Sequence, residues 1–389
     1  MKSPISADAV EAVREAASRQ LSGLTPGVSP ATGYPSNRTE AGRSLPPYHL
    51  VYFLLVKLLG FKNVGRHEKV AWSVPVDYKG KRFAIEHRKM GLGIFAHDLK
   101  KDEAEATEIS TLIKRAVRTA EPFFEFLAQE AVQQSKLNVL NRSSDLFKRY
   151  TYLLDLYRNK NAEAESRKEE RQVTEHKTER GKHTTIHIPY YGLKQESEWL
   201  AQSAIEAFYC WTEHTFIHLA LLLRRIKTAD EVGEIMDKDW AEKFKCALDI
   251  TEPKTKRLYD ELVEIRRQIR NFLAHGAFGK QGEAFQFHSD AGAVPVLLPH
   301  QAGKRKYSMT RGVSFKEEAA LGVIEEFIAH LWAGPRAPAH LHIQEEQLPT
   351  ILTKVADGTY QRAMSSMDAM ADHVSYMNHH MDQAIDMDW

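Results

Sequence analysis

One short segment of this chain combines residue types that are able to cleave RNA. Arg270, Asn271 and His275 lie within six residues, in the stretch RRQIRNFLAHG. A histidine titrates near neutral pH and can take or give a proton. A guanidinium binds two phosphate oxygens and stabilises charge developing on phosphorus. Together they can deprotonate a ribose 2′-hydroxyl, hold the phosphate and protonate the leaving 5′-oxygen. This chemistry needs no metal or other cofactor, because RNA supplies its own nucleophile.

A predicted helix over residues 251–276 must position these groups. Its apolar residues recur at spacings of three and four, which marks one buried face; they are Leu258, Leu262, Ile265, Ile269 and Phe272. Gly276 follows as a stop signal, since glycine readily adopts the left-handed conformation after a last helical turn.

The spacing within the segment also predicts how the groups meet. Asn271 and His275 are four residues apart, so they share a face and Asn271 can orient the imidazole. Arg270 lies roughly 140° around the helix from His275. The two converge only if the last turn loosens at Gly276, or if a second copy of the helix completes the site, which predicts a dimer. Candidates for binding the RNA backbone are Arg266, Arg267 and Lys280.

This pattern resembles the HEPN superfamily of ribonucleases, whose motif is an arginine, a polar residue, a few further residues and a histidine near a helix end. Here the matching residues are Arg270, Asn271 and His275, and the resemblance covers about 190–335. It implies a bundle of four to five helices, an obligatory homodimer with a composite active site, and metal-independent cleavage of RNA to a 2′,3′-cyclic phosphate. It also implies that the protein acts as a toxin or as an effector of antiviral defence.

Three alternatives stay open at this stage. The bundle can be a non-catalytic module that dimerises and binds a nucleotide or a partner. Arg270 can instead pair with a carboxylate while His275 caps the helix. The enzyme can also be a toxin that is silenced by an antitoxin or that waits for an activating trigger.

The same arginine-to-histidine spacing occurs twice more, at Arg82 with His87 and at Arg171 with His176. The first pair falls in a strand pattern and the second in a charged stretch, so neither has the context of a helix end.

The hydrophobic pattern predicts a mainly α-helical chain: a C-terminal antiparallel bundle with a small β-hairpin insert, preceded by an N-terminal α+β domain. We expect helices near 6–21, 48–60, 103–134 and 143–158, with three strands between 69 and 95, the first two joined by a turn at Lys79-Gly80. The stretch TTIHIPYYG (184–192) is expected to form a strand and a turn, and the chain is expected to be helical from Glu196 onward. The predicted domains are an α+β domain for sensing or substrate positioning (1–157), a charged linker or hairpin (158–189), the HEPN-like bundle (190–335) and a Met-rich amphipathic helix with its tail (336–389).

Composition excludes few functions. The 53 basic and 52 acidic residues give a net charge of +1, so the chain is not a uniformly basic nucleic-acid-binding protein. The most apolar run, 48–61, is shorter than the ~20 residues that a membrane span needs. We therefore expect a cytoplasmic protein that does not bind membranes, with Cys210 and Cys246 as buried free thiols.

A weaker candidate lies in the predicted strands, where Asp77, Glu86 and Lys89 faintly resemble the core of a metal-dependent nuclease. The gap from Glu86 to Lys89 is one residue too long for both side chains to point to one face of a strand. Solvent-facing charges on an ordinary sheet are the preferred interpretation.

Overall fold

The computed structural model of the chain describes residues 7–27, 35–65, 69–178, 181–274, 283–297, 309 and 316–385. Within them the chain is mainly helical with small antiparallel sheets, as the sequence predicts. It divides into two compact units, residues 1–136 with 375–389 and residues 137–374. None of the described helices is long and apolar enough to cross a membrane.

The first unit combines an antiparallel sheet with helices. Its elements are α1 (Ala7–Gln20), β1 (Leu24–Pro26), β2 (Asn37–Arg38), α2 (Tyr48–Tyr52), β3 (Val70–Tyr78), β4 (Lys81–Arg88), β5 (Gly91–Ala96), α3 (Leu99–Thr119) and α4 (Glu121–Gln133), with a 3-10 turn at Ala41–Ser44 and a π-helical turn at Phe53–Leu58 after α2.

The described strands of this unit form a sheet in the order β1-β3-β4-β5-β2. The predicted hairpin from β3 to β4 is confirmed. Lys79 and Gly80 both have positive φ, 49° and 75°, which matches the type I′ turn that suits the twist of a two-residue hairpin. The helix predicted over 103–134 is instead two helices, because Pro122 begins a new helix and cannot continue the previous one.

The second unit is built from helices with two hairpins. Its elements are β6 (Asn138–Val139), α5 (Ser143–Ser166), β7 (Gln172–Thr178), β8 (Gly181–His187), α6 (Pro189–Leu222), α7 (Ala229–Met236), α8 (Trp240–Ala247), α9 (Pro253–Ala274), β9 (Glu283–Ser289), β10 (Gly292–Leu297), α10 (Glu317–Leu331), α11 (Ala337–His340), β11 (Thr350–Ile351), α12 (Leu352–Ala356), α13 (Thr359–Ala363) and α14 (Met367–Ile385).

Aromatic side chains fill the core of this unit around the long helix α6. The ring of Phe216 lies 5.8 Å from that of Trp240 on α8 and 6.2 Å from that of Phe327 on α10. Aromatic pairs at such distances add to the hydrophobic gain of burial. The core therefore joins α6, α8 and α10 into one packed body, to which α9 is added.

The division between the units lies between residues 136 and 137, earlier than the predicted boundary near residue 158. The reason is that α5 packs on α6, where the ring of Phe147 is 4.7 Å from that of Trp211 and the ring of Tyr150 is 6.0 Å from that of Phe208. An amphipathic pattern predicts that α5 has a buried face but does not identify what covers it.

The segment predicted as linker or hairpin contains both a helix end and a hairpin. Helix α5 continues to Ser166, and β7 pairs with β8. Helix α6 begins at Pro189 and not near Glu196, so PYYG is its first turn and not the expected strand and turn. Proline at the first helical position has a φ already suited to the helix.

The C-terminal region differs from its prediction in extent. The predicted bundle ended at residue 335, but the short elements that follow add Ala339, Ile343, Leu352, Val355 and Tyr360 to the core of the second unit.

The Met-rich helix is present as α14. Met370, Val374 and Met377 are buried, whereas Met367 is 48 % exposed. Residues of α14 up to Val374 group with the second unit and those from Ser375 with the first. The prediction for the cysteines was wrong for Cys210, which is an exposed free thiol; Cys246 is free and half-buried.

Candidate functional site

Helix α9 carries the predicted motif, and its buried face agrees with the sequence. Leu258, Leu262, Ile265 and Ile269 are buried, while the side chain of Phe272 lies outside the described residues. The hydroxyl of Tyr209 on α6 donates a hydrogen bond to the carbonyl oxygen of Leu262 at 2.7 Å. These contacts hold the axis of α9 and thereby fix which side chains of its last turns face solvent.

Arg266 is anchored to the bundle. Its Nη2 donates to Oε1 of Glu213 on α6 at 2.9 Å, and its guanidinium lies 5.6 Å from the ring centroid of Tyr209 and 5.9 Å from that of Trp240. The second carboxylate oxygen of Glu213 accepts from the ammonium group of Lys243 on α8 at 3.1 Å. One carboxylate thus joins cations of α8 and α9, so Arg266 has a structural partner that the sequence did not reveal.

Arg267 and Arg270 differ in their surroundings. Arg267 pairs with Glu264 one turn earlier, at 2.9 Å between Nη2 and Oε1. Arg270 lies one turn beyond Arg266 on the same face of α9 and is exposed. No described carboxylate forms an ion pair with Arg270, so the carboxylate pairing considered from the sequence is not present among the described residues.

The remaining predicted site residues are described only in part. The backbone of Asn271 belongs to α9, but its side chain lies outside the described residues. His275 and Lys280 lie outside them entirely. The predicted approach of Arg270 to His275, and the role of Lys280 in RNA binding, therefore stay predictions.

A groove lies along α9 on the side away from Arg270. A cavity of about 460 Å³ lies between α9 and α10. Its lining residues on α9 include Asp260, Glu261, Glu264 and Gln268. Arg270 is roughly 160° around the helix from Gln268. Cations of α9 pair with these carboxylates, and Lys316 also lines the groove, so its charges are largely balanced.

The buried histidines of the second unit serve packing. His218 donates to or accepts from Thr350 Oγ1 at 2.8 Å through Nδ1, and burial lowers its pKa to about 3. Burial likewise lowers the pKa of His342 to about 3. Both rings are neutral at pH 7 and enclosed by protein. A general acid must instead be protonated and in contact with its substrate.

The two other arginine–histidine pairs do not form comparable sites. Arg82 lies 3.6 Å from Asp77 across the β3–β4 pair, measured from Nε to Oδ1, and Arg171 immediately precedes an exposed hairpin strand. His87 stacks on Tyr48 with 4.2 Å between ring centroids.

The faint likeness to a metal-dependent nuclease does not extend to the geometry. Glu86 is buried and accepts hydrogen bonds from Ser73 Oγ at 2.7 Å and from Arg88 Nε at 2.6 Å. The register places Asp77 opposite Arg82 and Glu86 opposite Ser73. Four residues along a strand separate the two carboxylates by about 13 Å, too far to share a metal ion. Glu86 is not the solvent-facing charge that the sequence suggested.

Sequence reasoning missed a cavity of about 720 Å³ in the first unit, formed by α2 and the turn after it, β3 and the end of β4. Aromatic and basic side chains line it. The sequence indicates this cavity only through the run His87-Arg88-Lys89 at the end of a strand. The aromatic side chains that pack beside His87 come from a distant segment.

Comparison of the chain with protein-family models, curated proteins and solved structures finds no match.

Proposed function

We propose that this protein is a metal-independent endoribonuclease of the HEPN type, with Arg270, Asn271 and His275 as its catalytic group. The observation that carries the proposal is the state of Arg270. It is an exposed cation without a described partner, near the end of a helix whose axis is fixed in a helical bundle. The polar Asn271 comes next, and His275 follows four residues later.

The proposed reaction requires a base, a cation and an acid. His275 takes the proton of a ribose 2′-hydroxyl, and the oxygen attacks the adjacent phosphorus. Arg270 stabilises the charge that develops on the phosphoryl oxygens. The P–O5′ bond breaks, and a protonated imidazole returns a proton to the 5′-oxygen. The products are a 2′,3′-cyclic phosphate and a 5′-hydroxyl, with no net loss or gain of protons.

Two copies of the chain supply the arginine and the histidine of each site in this scheme. Arg270 and His275 lie roughly 140° apart on an ideal helix, and a symmetric dimer brings the same helix end of both copies together. Each of the two sites then takes Arg270 from one copy and His275 from the other, and that His275 acts first as the base and then, once protonated, as the acid. Arg266 and Arg267 can bind the RNA backbone only when they leave their ion pairs with Glu213 and Glu264.

The β7–β8 hairpin supports a homodimer. All side chains described in this hairpin are exposed, including Val173 and Ile186, which are directly paired across the strands and 59 % and 57 % exposed. A two-stranded hairpin alone in water is marginally stable at best. We propose that a second copy covers this apolar pair.

A complementation experiment tests the composite site. Arg270→Ala and His275→Ala proteins are each inactive on RNA under the proposal. When equal amounts are unfolded and refolded together, half of the dimers are mixed, and each mixed dimer has one intact site. We expect about a quarter of the wild-type activity. Absence of recovery, with mixed dimers verified by mass spectrometry, would contradict a site shared between copies in this way.

The biological role that we propose is that of a toxin or antiviral effector, held inactive by an antitoxin or until a trigger arrives. Expression of the chain in cells tests it through growth arrest. Arrest that disappears with His275→Ala supports the role, and equal growth with both proteins, when both accumulate, contradicts a constitutively active toxin.

A further inference from the structure

The cavity of the first unit has an aromatic wall. It encloses about 720 Å³, within the ~300–1,000 Å³ typical of sites for small molecules. The rings that line it come from α2, the turn that follows it, and strands β3 and β4; they are those of Tyr48, His49, Tyr52, Phe53, Trp72 and His87.

These rings are held in place before any ligand binds. The imidazole of His87 is parallel to the ring of Tyr48, with 2° between their planes and 4.2 Å between their centroids. The ring of Tyr52 lies 5.4 Å from that of Trp72. Burial lowers the pKa of His87, so this ring is neutral at pH 7 and stacks as an aromatic surface. Tyr48 is 49 % exposed, which leaves part of its ring for a planar ligand.

Two basic residues, Arg88 and Lys89, also line this cavity. The guanidinium of Arg88 is held by Glu86, with Nη2 2.6 Å from Oε2, and it stacks on Phe95 at 3.6 Å from the ring centroid. Lys89 is exposed and forms no ion pair with a described residue. None of the described lining residues is acidic. The register places the guanidinium of Arg88, with Glu86 and Phe95, on the face of the sheet opposite to His87. Lys89 therefore supplies the positive charge of the cavity.

One side chain in the cavity offers a donor in a fixed direction. Asn63 Oδ1 accepts from the backbone amides of Gly65 at 3.1 Å and Ser73 at 3.2 Å. Because both partners are donors, the oxygen of Asn63 must face them. Its NH2 group has no partner among the described residues and lines the cavity, where it can donate to an acceptor on the edge of a base.

We propose that this cavity binds a free nucleotide. The base stacks on the aromatic wall at Tyr48, Asn63 donates to the base edge, and Lys89 binds the phosphate. The occupant must combine a planar ring with an anion, because the cavity offers stacking surface and positive charge together. A single-stranded RNA offers the same two groups, but a cavity of this volume fits one nucleotide unit. The inference does not depend on RNA cleavage, since it concerns residues of the first unit alone.

Calorimetric titration of the full chain with each of the four ribonucleoside 5′-monophosphates tests this proposal. We expect at least one to bind, its nucleoside to bind at least tenfold more weakly, and inorganic phosphate alone to bind more weakly still. Tyr48→Ala should weaken binding about tenfold or more, as loss of a stacking ring does. Lys89→Ala should weaken binding of the nucleotide without changing binding of the nucleoside.

The control variant is Tyr152→Ala, which removes a similarly exposed tyrosine from α5 in the second unit. It should bind as the wild type does. Arg88→Ala is unsuitable, because it leaves the buried Glu86 without its cation. Binding of a single-stranded RNA tetranucleotide together with failure of every mononucleotide would overturn the free nucleotide as occupant. Binding that is unchanged in both Tyr48→Ala and Lys89→Ala, or no binding at all by the folded protein, would overturn the site.

Discussion

Arg266 on α9 donates to Glu213 on α6 at 2.9 Å, while Arg270, one turn further along the same face, has no partner among the described residues. Two arginines of one motif segment therefore differ in what they are available to do. The first fixes α9 to the bundle, whereas the second is free to meet a phosphate. Stability and activity should separate accordingly when each is replaced.

Replacement of Arg266 by alanine should reduce stability. The change removes the ion pair with Glu213 and the packing of the guanidinium over Tyr209 and Trp240. We expect the free energy of unfolding in urea to fall by about 1–3 kcal/mol. Arg267→Ala is the matched control, since its pair with Glu264 is exposed and such pairs contribute about 0–1 kcal/mol. Equal losses for both variants would contradict an anchoring role for Arg266.

Replacement of Arg270 by alanine should leave stability within about 0.5 kcal/mol of the wild type, as for exposed side chains without partners. RNA cleavage should fall about a hundredfold or more, because one donor to developing charge is lost. Arg270→Lys should recover only part of the rate, since an ammonium group cannot bind two phosphate oxygens as a fork. Single-turnover cleavage rates measure this, and a fully active Arg270→Ala protein would remove Arg270 from the site.

Acidification should destabilise the second unit through its buried histidines. Burial lowers the pKa of His218 and of His342 to about 3, against about 6.5 in the unfolded chain. The unfolded state therefore binds more protons between these values. The contribution of the two neutral rings to the free energy of unfolding is fully present above about pH 6.5. It is lost as the pH falls toward 3, by up to about 1.4 kcal/mol per pH unit for each histidine. Urea unfolding from pH 7 to pH 4.5 measures the slope, and a flat profile would contradict it.

Replacement of His342 by leucine should stabilise the protein. It is fully buried, and neither ring nitrogen has a hydrogen-bond partner among the described residues. Because buried polar groups without partners are costly, His342→Leu should raise the free energy of unfolding by about 1 kcal/mol at pH 7. The gain should grow at lower pH.

The control for this variant is His340→Leu, which removes a partly exposed ring that pairs with Glu345 at 2.8 Å. It should not stabilise the protein. A loss of stability in His342→Leu at every pH would show that the ring nitrogens are satisfied in solution.

Charges on the exposed apolar pair of the β7–β8 hairpin should separate the proposed dimer. We expect Val173→Lys with Ile186→Lys to give a monomer at concentrations where light scattering shows the wild type as a dimer. Desolvating two ammonium groups opposes the contact. Met236→Lys, at an equally exposed position of α7, is the control and should stay dimeric. A double variant that keeps the wild-type mass would place the dimer contact elsewhere.

Local features of the fold were predictable where chemistry of neighbouring residues determines them. The Lys79-Gly80 turn predicted a hairpin, and the spacing of Leu258, Leu262, Ile265 and Ile269 predicted the buried face of α9. Both depend on backbone preferences and on helical periodicity, which act over a few residues.

Features that depend on distant contacts were not predictable in this way. The packing of α5 on α6, the pair of Arg266 with Glu213 and the cavity around Tyr48 and His87 each join segments far apart in the chain. A hydrophobic pattern indicates that a face is buried, but the partner is chosen by packing over the whole unit. The motif at Arg270 was visible because its residues lie within six positions of the chain, whereas the residues that line the cavity of the first unit come from distant segments.

The most direct test of the proposed function is cleavage of RNA by purified wild-type protein and by His275→Ala, in the presence of a metal chelator, with analysis of the product ends. We expect cleavage by the wild type alone, with 2′,3′-cyclic phosphate and 5′-hydroxyl ends. Equal cleavage by both proteins would contradict the assignment of His275. No cleavage of total cellular RNA by a wild type verified as a dimer, without and with the nucleotides proposed for the first unit, would contradict the ribonuclease itself.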